Sequence, residues 1–333
     1  MPDLTQQSET QPYSNLTPDT ILDAVESVGL VSDGRQLALN SYENRVYQVG
    51  IEDANPLIAK FYRPGRWSDA TILEEHSFAL ELAEHEIPLV PPLLIEGNTL
   101  FEYAGYRFSL SPRCGGRAAE LDREETQLWL GRFMGRLHAI GAARGFNHRL
   151  EMTPQQFGWE PRNFLLEKQW VPMHLETAFS TLTEDLLNHI DSVFEATASC
   201  RRIRLHGDFH VGNILWRDGP HFVDLDDCMT GPAIQDLWLL LSGEADEMTA
   251  QAQVILEGYR QFMDFDRREL QLIEALRTLR YLHHAAWLAR RWEDPAFPLA
   301  FVWFDSTRYW EDLILSLREQ AAKLQEPAIE IRD

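Results

Sequence analysis

The chain has 333 residues, 44% of them hydrophobic, so it is long enough for two packed units with a sizeable core. Its formal net charge of −22 argues against a nucleic-acid-binding surface, which needs clustered lysine and arginine. The sequence also lacks a run of about 18 apolar residues that would span a membrane.

The cysteines and the first residues indicate the cellular setting. Cys114, Cys200 and Cys228 are few, odd in number and widely spaced, which is typical of a reducing compartment rather than of a disulfide framework. Residues 1–16 contain no apolar run, so we expect a disordered leader and no secretory signal. These features predict a cytoplasmic protein. The absence of an obvious heptad favours a monomer.

The first folded unit begins with three predicted strands, at 36–40, 45–51 and 57–62, which form an antiparallel meander. The turn Asn40–Asn44 joins the first two strands. Lys60 lies inside the third, within an otherwise apolar run, so strand alternation gives its side chain a defined face. It is either a functional lysine or an edge-strand lysine that blocks aggregation.

A helix is predicted next, over residues 68–84, with Ser68 as its N-cap. Two neighbouring acids lie on it. At helical spacing Glu75 shares a stripe with apolar residues, whereas Glu74 groups with polar ones. Glu75 is therefore the better candidate to face inward and meet a strand lysine.

Strands at Thr99–Tyr103 and Tyr106–Ser111 complete the first unit. The stretch 112–117 is rich in glycine and proline and predicts a domain boundary. We therefore expect an N-terminal lobe over 17–111, a hinge over 112–117 and a C-terminal lobe over 118–325.

The second unit is predicted to be mainly helical. Its first helix runs to Ile140 and starts at an approximate capping box formed by Asp122 and Glu125. Further helices are predicted over 175–198, 235–242, 247–264, 267–292 and 307–324.

Between these helices lies the most informative stretch of the chain. Asp208 is followed by Asn213 and then by Asp224. Residues 213–216 and 221–225 are two short apolar-rich runs separated by an Asp-Gly turn, which predicts a hairpin that folds Asp224 back beside Asn213.

This spacing is typical of phosphoryl transfer. Such a reaction needs a carboxylate to accept the proton of the attacking hydroxyl, and Asp208 can supply it. It also needs oxygen ligands for Mg²⁺, and Asn213 and Asp224 can supply those. Two other interpretations stay open: a structural hairpin with surface acids, and a transition-metal site formed by His206, Asp208 and His210.

The motif His206-Gly207-Asp208 with Asn213, followed by Val223–Asp226, resembles that of the aminoglycoside phosphotransferases and choline kinases. Two further strings, Gly135–His138 and Gly231–Leu237, are also similar to that superfamily. Within it, the strings 38–47 and 222–227 most resemble a stress-response branch of bacterial Ser/Thr protein kinases.

The resemblance implies an α+β, bilobal, protein-kinase-like fold. A small N-terminal lobe would hold an antiparallel sheet and a helix, and a larger, mainly helical C-terminal lobe would complete the cleft. It also implies an ATP-dependent kinase that uses Mg²⁺.

The resemblance assigns roles on the C-terminal side of the cleft. Asp208 would be the catalytic base, Asn213 and Asp224 the Mg²⁺ ligands, and Asp226 an acid that supports them. His138 and Asp236 also match the superfamily, and we interpret both as parts of the scaffold.

On the N-terminal side, Lys60 matches the strand lysine that pairs with ATP phosphates. Glu75 matches the helix acid that positions that lysine, and Ser41 lies in the turn that would cover the phosphates.

Two departures from protein kinases bear on the substrate. The turn 40–44 contains no glycine, and no Ala-Pro-Glu follows Asp224. The acceptor therefore stays open between a Ser or Thr in a protein and a small hydroxylated metabolite, for which an acidic pocket would be apt if the metabolite is cationic. A nucleotide-binding regulator without activity is disfavoured by the intact Lys60, Asp208, Asn213 and Asp224.

Overall fold

The computed structural model describes residues 11–331. Its N-terminal lobe is built on a five-stranded antiparallel sheet with the order β1-β2-β3-β5-β4. The strands are β1 (Ser32–Ala38), β2 (Arg45–Ile51), β3 (Leu57–Phe61), β4 (Phe101–Tyr103) and β5 (Tyr106–Pro112). Helix α1 (Pro18–Glu26) precedes the sheet, and helix α2 (Asp69–Glu84) is inserted between β3 and β4.

The predicted strands are all present, and the largest difference is in β1. This strand begins at Ser32 rather than at residue 36, and its pairing with β2 shifts register between Ser32 and Gln36. Gly34 lies inside the shift with a φ of +78°, a conformation that glycine adopts without strain. The strand therefore continues through an irregularity at Gly34.

Helix α2 has the predicted boundaries. The Ser68 side chain accepts a hydrogen bond from the Thr71 amide at 3.2 Å and so satisfies one of the free donors of the first turn. The apolar face of the helix, which includes Phe78 and Leu82, packs into the core of the C-terminal lobe.

The C-terminal lobe is mainly helical. Its helices are α3 (Glu124–Gly141), α4 (Glu160–Glu167), α5 (Met173–Ala196), α6 (Ile234–Trp238), α7 (Ala245–Tyr259), α8 (Ile273–Arg291), α9 (Ala296–Ala300) and α10 (Thr307–Lys323). A π-helical turn (Gln155–Trp159) precedes α4, and a 3₁₀ segment (Arg267–Leu272) precedes α8. Short strands lie among them: β6 (Arg117–Ala118), β7 (Ile203–Leu205), β8 (Ile214–Trp216), β9 (Pro220–Phe222) and β10 (Met229–Gly231).

The predicted helices of this lobe are present, with four corrections. The helix predicted over 235–242 ends at Trp238, and the one predicted over 267–292 opens with the 3₁₀ segment and becomes α-helical at Ile273. The other two corrections concern α3 and α7. The capping box of Asp122 and Glu125 is wrong, because α3 begins at Glu124 with Arg123 at the N-cap and no side-chain cap bond. The helix predicted over 247–264 ends at Tyr259. Helices α4 and α9 were not predicted.

Glycines let α3 and α7 approach closely. A Cβ atom on Gly131 would lie 2.0 Å from the Ile255 carbonyl oxygen, and one on Gly135 would lie 2.4 Å from that of Tyr259. The two backbones are therefore in direct contact, which only glycine permits at these two positions.

The predicted hairpin is confirmed. Strands β8 and β9 pair antiparallel, with Ile214 opposite Phe222 and Trp216 opposite Pro220. The hairpin is held on both sides: β6 pairs with β8, and the Phe222 amide bonds to the Pro88 carbonyl. Residues 113–116 connect β5 of the sheet to β6, where the sequence predicts the hinge.

Two apolar clusters correspond to the two lobes. One lies under the five-stranded sheet, around Phe61 and Phe108, and the other fills the helical lobe. This arrangement confirms the predicted α+β, bilobal architecture. No helix within residues 11–331 is both long and apolar enough to cross a membrane.

The predicted disordered leader differs from the structure where the two can be compared. Residues 1–10 lie outside the described residues, but residues 11–16 form turns against the sheet. The Tyr13 ring stacks on Tyr106, and its hydroxyl donates to the Glu43 carbonyl at 3.0 Å. The segment is polar overall, which is why the sequence predicts disorder, but the ring of Tyr13 provides enough apolar surface to pack on the sheet.

Candidate active site

Lys60 and Glu75 meet in the cleft beside the sheet, as the helical spacing predicted. The Lys60 ammonium lies 3.5 Å from the Glu75 carboxylate, and both side chains are largely buried. Glu74 faces the other way and accepts hydrogen bonds from the amides of residues 147–149. The strand and the helix therefore hold the lysine in one position.

Lys60 also reaches across the cleft to the C-terminal lobe. Its Nζ lies 3.2 Å from Asp224 Oδ1 and 3.1 Å from Asp226 Oδ1. Burial alone would lower the pKa of Lys60, but the carboxylates of Asp226, Glu75 and Asp224 outweigh it and hold that pKa well above its ordinary value. The lysine is thus a fixed positive charge at the base of the cleft.

The β8–β9 hairpin places Asn213 and Asp224 together. The Val223 amide donates to the Asn213 carbonyl at 3.1 Å, so the two candidate ligands lie on adjacent chain segments. The Asn213 side-chain amide donates to the Asp208 carbonyl at 2.9 Å, which leaves its Oδ1 as the end able to bind a cation. Asp224 has a φ of +65° and a half-exposed carboxylate.

This donor set fits Mg²⁺. The ion prefers oxygen ligands and is usually held by one or two carboxylates together with substrate phosphates and water. Asn213 and Asp224 offer one amide and one carboxylate oxygen at the mouth of the cleft. Asp226 Oδ1 lies beside them, buried and 3.1 Å from the Lys60 ammonium.

The transition-metal interpretation is not supported. His206 Nε2 donates to the Val223 carbonyl at 3.1 Å, and His210 Nδ1 accepts from the Gly212 amide at 2.9 Å. Across residues 11–331 there is no cluster of three His, Cys, Asp or Glu side chains arranged for a metal. Both imidazoles instead shape the loop that carries Asp208.

Asp208 lies at the centre of that loop with both carboxylate oxygens in contact with cations or donors. Oδ1 accepts a hydrogen bond from Arg280 at 2.8 Å, and Oδ2 lies 3.3 Å from His210 Nε2. Burial raises the pKa of Asp208, but the contacts with His210 and Arg280 outweigh it and hold that pKa well below its usual range. Asp208 is therefore ionised at neutral pH and able to orient a hydroxyl.

A buried pair behind the loop supports this position. Asp236 accepts hydrogen bonds from the amides of His206 and Gly207, both at 2.8 Å, and lies 3.1 Å from His138 Nε2. The structure places His138 and Asp236 in the scaffold, with no exposed side-chain surface.

Ser41 lies in the turn between β1 and β2, at the upper rim of the cleft. Its hydroxyl donates to the Asn44 carbonyl at 3.0 Å. The turn is fixed to the opposite lobe, because Glu43 accepts from Trp287 Nε1 at 2.5 Å and pairs with Arg291 at 2.9 Å. Tyr42 packs on Phe301 with ring centroids 4.9 Å apart. These side-chain contacts hold a turn that contains no glycine.

The lobes enclose a cavity of about 1180 Å³. One face of α8 forms its wall on the acceptor side, and the described residues that α8 contributes include no acid. The members, spaced three or four apart, are Leu276, Leu279, Arg280, His283, His284, Trp287, Arg290 and Arg291. We call these residues the α8 wall.

Sequence reasoning missed the α8 wall and also Arg66. The Arg66 guanidinium contacts Asp226 and lies 2.6 Å from Asp227, so it joins the two lobes beside Lys60. Arg66 follows β3 in a loop that has no pattern of its own. The α8 wall, in contrast, does leave a signal, since its basic and aromatic residues recur at helical spacing within the predicted helix 267–292.

Comparisons with known proteins bear on this geometry. The model of a family described as "Phosphotransferase enzyme family" matches residues 35–273, which cover most of the sheet and the hairpin and end at the first residue of α8. The chain belongs to this family.

Two curated relatives extend the match to nearly the whole chain of this phosphotransferase. Stress response kinase A of Escherichia coli (strain K12) is 43% identical over 319 residues, which cover 96% of this chain and 97% of the relative. "Serine/threonine protein kinase RdoA" of Salmonella typhimurium has the same identity and coverage. The predicted superfamily and its stress-response branch are confirmed, and the chain is a kinase of the phosphotransferase family.

A solved structure agrees with the fold. The amicoumacin kinase hAmiN, in a complex with AMP-PNP, Ca²⁺ and Ami, superposes with a TM-score of 0.71 over 99% of this chain and 98% of that protein. At 19% identity the similarity establishes the shared phosphotransferase fold.

Proposed function

We propose that the chain is an ATP- and Mg²⁺-dependent Ser/Thr protein kinase. The observation that carries the catalytic part is the contact of Lys60 with Asp224, Asp226 and Glu75 at one point of the cleft. A fixed ammonium beside oxygen ligands, with a carboxylate at the acceptor side, is the arrangement that phosphoryl transfer uses. The cavity of about 1180 Å³ is large enough for a nucleotide and an acceptor side chain.

Different residues would bind the ATP phosphates and the metal ion. Lys60, held by Glu75, binds phosphate oxygens of ATP, and Ser41 lies above them in the covering turn. Asn213 and Asp224 hold Mg²⁺, which when bound neutralises charge on the phosphates.

Asp208 then orients the acceptor hydroxyl and takes its proton as the oxygen attacks the γ-phosphorus. Positioning and charge stabilisation supply most of the rate enhancement in such reactions.

The α8 wall supports a protein acceptor over a small cation. Its charged members are arginines, and it contributes no acid to the described lining of the cavity. This wall gives a cationic metabolite no carboxylate to bind, whereas its arginines can bind an anionic group of a protein acceptor. The relative named as a serine/threonine protein kinase is consistent with this choice. We further expect a cytoplasmic monomer, in keeping with three free cysteines.

The catalytic assignment is tested with isosteric variants. Asp208→Asn removes the proton acceptor, and we expect kcat for phosphoryl transfer to fall by about 10²- to 10⁴-fold while ATP still binds. Asp224→Asn removes a charged Mg²⁺ ligand, so we expect both turnover and Mg²⁺-dependent ATP binding to be lost. Transfer from labelled ATP and calorimetric ATP titration measure the two effects.

Asp218→Asn provides the matched control. Asp218 lies in the turn of the same hairpin, where its φ of +57° is one that asparagine accepts, and it does not line the cavity. We expect wild-type activity from it. Full activity in either Asp208→Asn or Asp224→Asn would overturn the site.

The acceptor is tested by giving the wild-type enzyme labelled ATP with a generic protein substrate and with a panel of small alcohols. We expect the label in protein. Label in a small alcohol alone would replace the protein-kinase proposal with that of a metabolite kinase.

A further inference from the structure

We propose that Arg280 is the specificity-determining residue of this kinase, and that it selects acceptors whose Ser or Thr lies next to an anionic side chain. The proposal rests on the proposed function and adds a substrate class to it. The anionic group would be a carboxylate or a phosphate, which share the chemistry that a guanidinium recognises.

Asp208 has two oxygens, and both are engaged when no acceptor is present: Oδ1 by Arg280 at 2.8 Å and Oδ2 by His210 at 3.3 Å. An acceptor hydroxyl needs one of these oxygens as the partner for its proton. Each oxygen can accept a second hydrogen bond, so neither contact blocks the hydroxyl, but release of one contact frees a lone pair and makes Asp208 a stronger proton acceptor.

Arg280 is the contact able to move. Its side chain is 47% exposed, and within residues 11–331 its one hydrogen-bond partner is Asp208. His210, in contrast, is tied into the loop through the Gly212 amide. A guanidinium has five N–H donors in a planar fork, so Arg280 keeps unused donors beside the reacting position.

Arg280 is the positive charge of the α8 wall that is best placed to meet an incoming group, because the other basic residues are paired, stacked on a ring or neutral. The Arg291 guanidinium is paired with Glu43, and that of Arg290 lies over the Phe164 ring at 4.7 Å. Burial lowers the pKa of His283 to about 3, so this imidazole is neutral. Asp208 is thus the partner that Arg280 would exchange for an incoming anion.

The exchange couples recognition to catalysis. An anionic side chain next to the acceptor binds the guanidinium fork and draws it away from Asp208 Oδ1. The hydroxyl then occupies the freed position. Its oxygen bonds to the γ-phosphorus, the bond from that phosphorus to the bridging oxygen of ADP breaks, ADP leaves, and the hydroxyl proton passes to Asp208 Oδ1.

The test uses peptides of one sequence that differ in the residue after the acceptor serine, which is glutamate, phosphoserine, glutamine or lysine. For the wild-type enzyme we expect kcat/KM to be about 10- to 100-fold higher with an anionic neighbour than with glutamine, as one charge-assisted contact would give. Preference for glutamate alone or for phosphoserine alone would identify the carboxylate or the phosphate as the recognised group.

Arg280→Gln should bring the ratio between the glutamate and glutamine peptides to within about twofold, mainly through KM for the glutamate peptide. Arg280→Lys keeps the charge without the fork and should give an intermediate ratio. Circular dichroism checks that both variants fold, which the exposure of the side chain favours.

Arg277→Gln is the matched control. Arg277 lies one turn earlier on α8, outside the cavity lining, with its guanidinium over the Trp238 ring. We expect its peptide preference to equal that of the wild type.

Two results would overturn the inference and leave the kinase assignment standing: peptide phosphorylation by the wild type without a charge preference, or an unchanged preference in Arg280→Gln. Failure of the wild type to phosphorylate any peptide, while it phosphorylates a small alcohol, would instead overturn the protein-kinase proposal.

Discussion

At the scale of single residues, one buried carboxylate organises the loop that carries Asp208. Asp236 has no exposed side-chain surface and receives three contacts, from two backbone amides and from His138. The three donors belong to buried residues. The position of Asp208 therefore depends on a residue that lies behind the cleft and does not line it.

Asp236→Ala should lower the free energy of unfolding by about 3–5 kcal/mol, because it leaves two buried amides and an imidazole without their acceptor. Urea denaturation followed by tryptophan fluorescence measures this effect. Asp312→Ala removes an exposed partner of Arg308 instead and should change stability by less than about 1 kcal/mol. Equal losses in the two variants would contradict the role of Asp236.

At this scale the sequence predicts a site residue when its partner lies in the same hairpin or on the same helix. Asn213 and Asp224 share one hairpin, and Glu75 is distinguished from Glu74 by the period of one helix. Arg280 and Asp208 are 72 residues apart, and their meeting is decided by how α8 packs against the loop. No short-range pattern could have predicted that contact.

At the scale of elements, the turn between β1 and β2 is the part that departs most from a glycine-rich phosphate loop. Glycine allows backbone amides to approach phosphates, and a turn without glycine needs another means of support. Here the support comes from α8, through Trp287 and Arg291, and both contacts meet at Glu43.

Glu43→Ala should free the turn from α8. We expect the amides of residues 39–44 to exchange with deuterium about tenfold faster or more, as the loss of a charged hydrogen-bond network permits. Hydrogen exchange followed by mass spectrometry measures it. Glu52→Ala, at an exposed turn on the same sheet, should leave exchange at 39–44 unchanged; unaltered exchange in Glu43→Ala would show that other contacts hold the turn.

Elements were predictable where apolar periodicity and turn chemistry agree, as in α2 and the β8–β9 hairpin. The start of β1 was not, because Ser32, Asp33 and Gly34 carry no apolar strand pattern and pair with β2 only through an irregular register. The cap of α3 failed for a related reason. Asp122 has a side chain suited to an N-cap, yet the N-cap is the next residue, Arg123, and the helix begins at Glu124.

At the scale of the whole molecule, the net charge of −22 does not extend to the cleft, whose lining balances six Lys and Arg side chains with six Asp and Glu side chains. Several carboxyl groups are also buried away from the surface. Burial raises the pKa of Glu75 to about 7 and that of Glu269 to about 7. Such groups make stability depend on pH in a range where ordinary carboxylates no longer titrate.

Glu269→Gln isolates this effect outside the cleft. The pKa of Glu269 is about 7 in the folded chain against an ordinary value of 4.5, so between these values the folded state keeps a proton that the unfolded state has lost. The contribution of this proton to the free energy of unfolding is fully present below pH 4.5 and is lost as the pH rises through 7. It amounts to about 3 kcal/mol.

In Glu269→Gln this part of the pH dependence should disappear, so that the difference in unfolding free energy from the wild type changes between pH 4.5 and 7. Urea denaturation at several pH values measures it. Glu319→Gln, at an exposed position, should give a curve parallel to that of the wild type, and a parallel curve for Glu269→Gln would refute the assignment.

Helix α2 carries two consecutive acids that serve opposite lobes. Glu75 pairs with Lys60 of the sheet, while Glu74 accepts three amides of the helical lobe at residues 147–149. Successive residues on a helix are rotated by about 100°, so both contacts form together at one rotational setting. The helix therefore fixes the orientation of one lobe relative to the other. A rotation of the helix that kept one of these two sets of contacts would break the other.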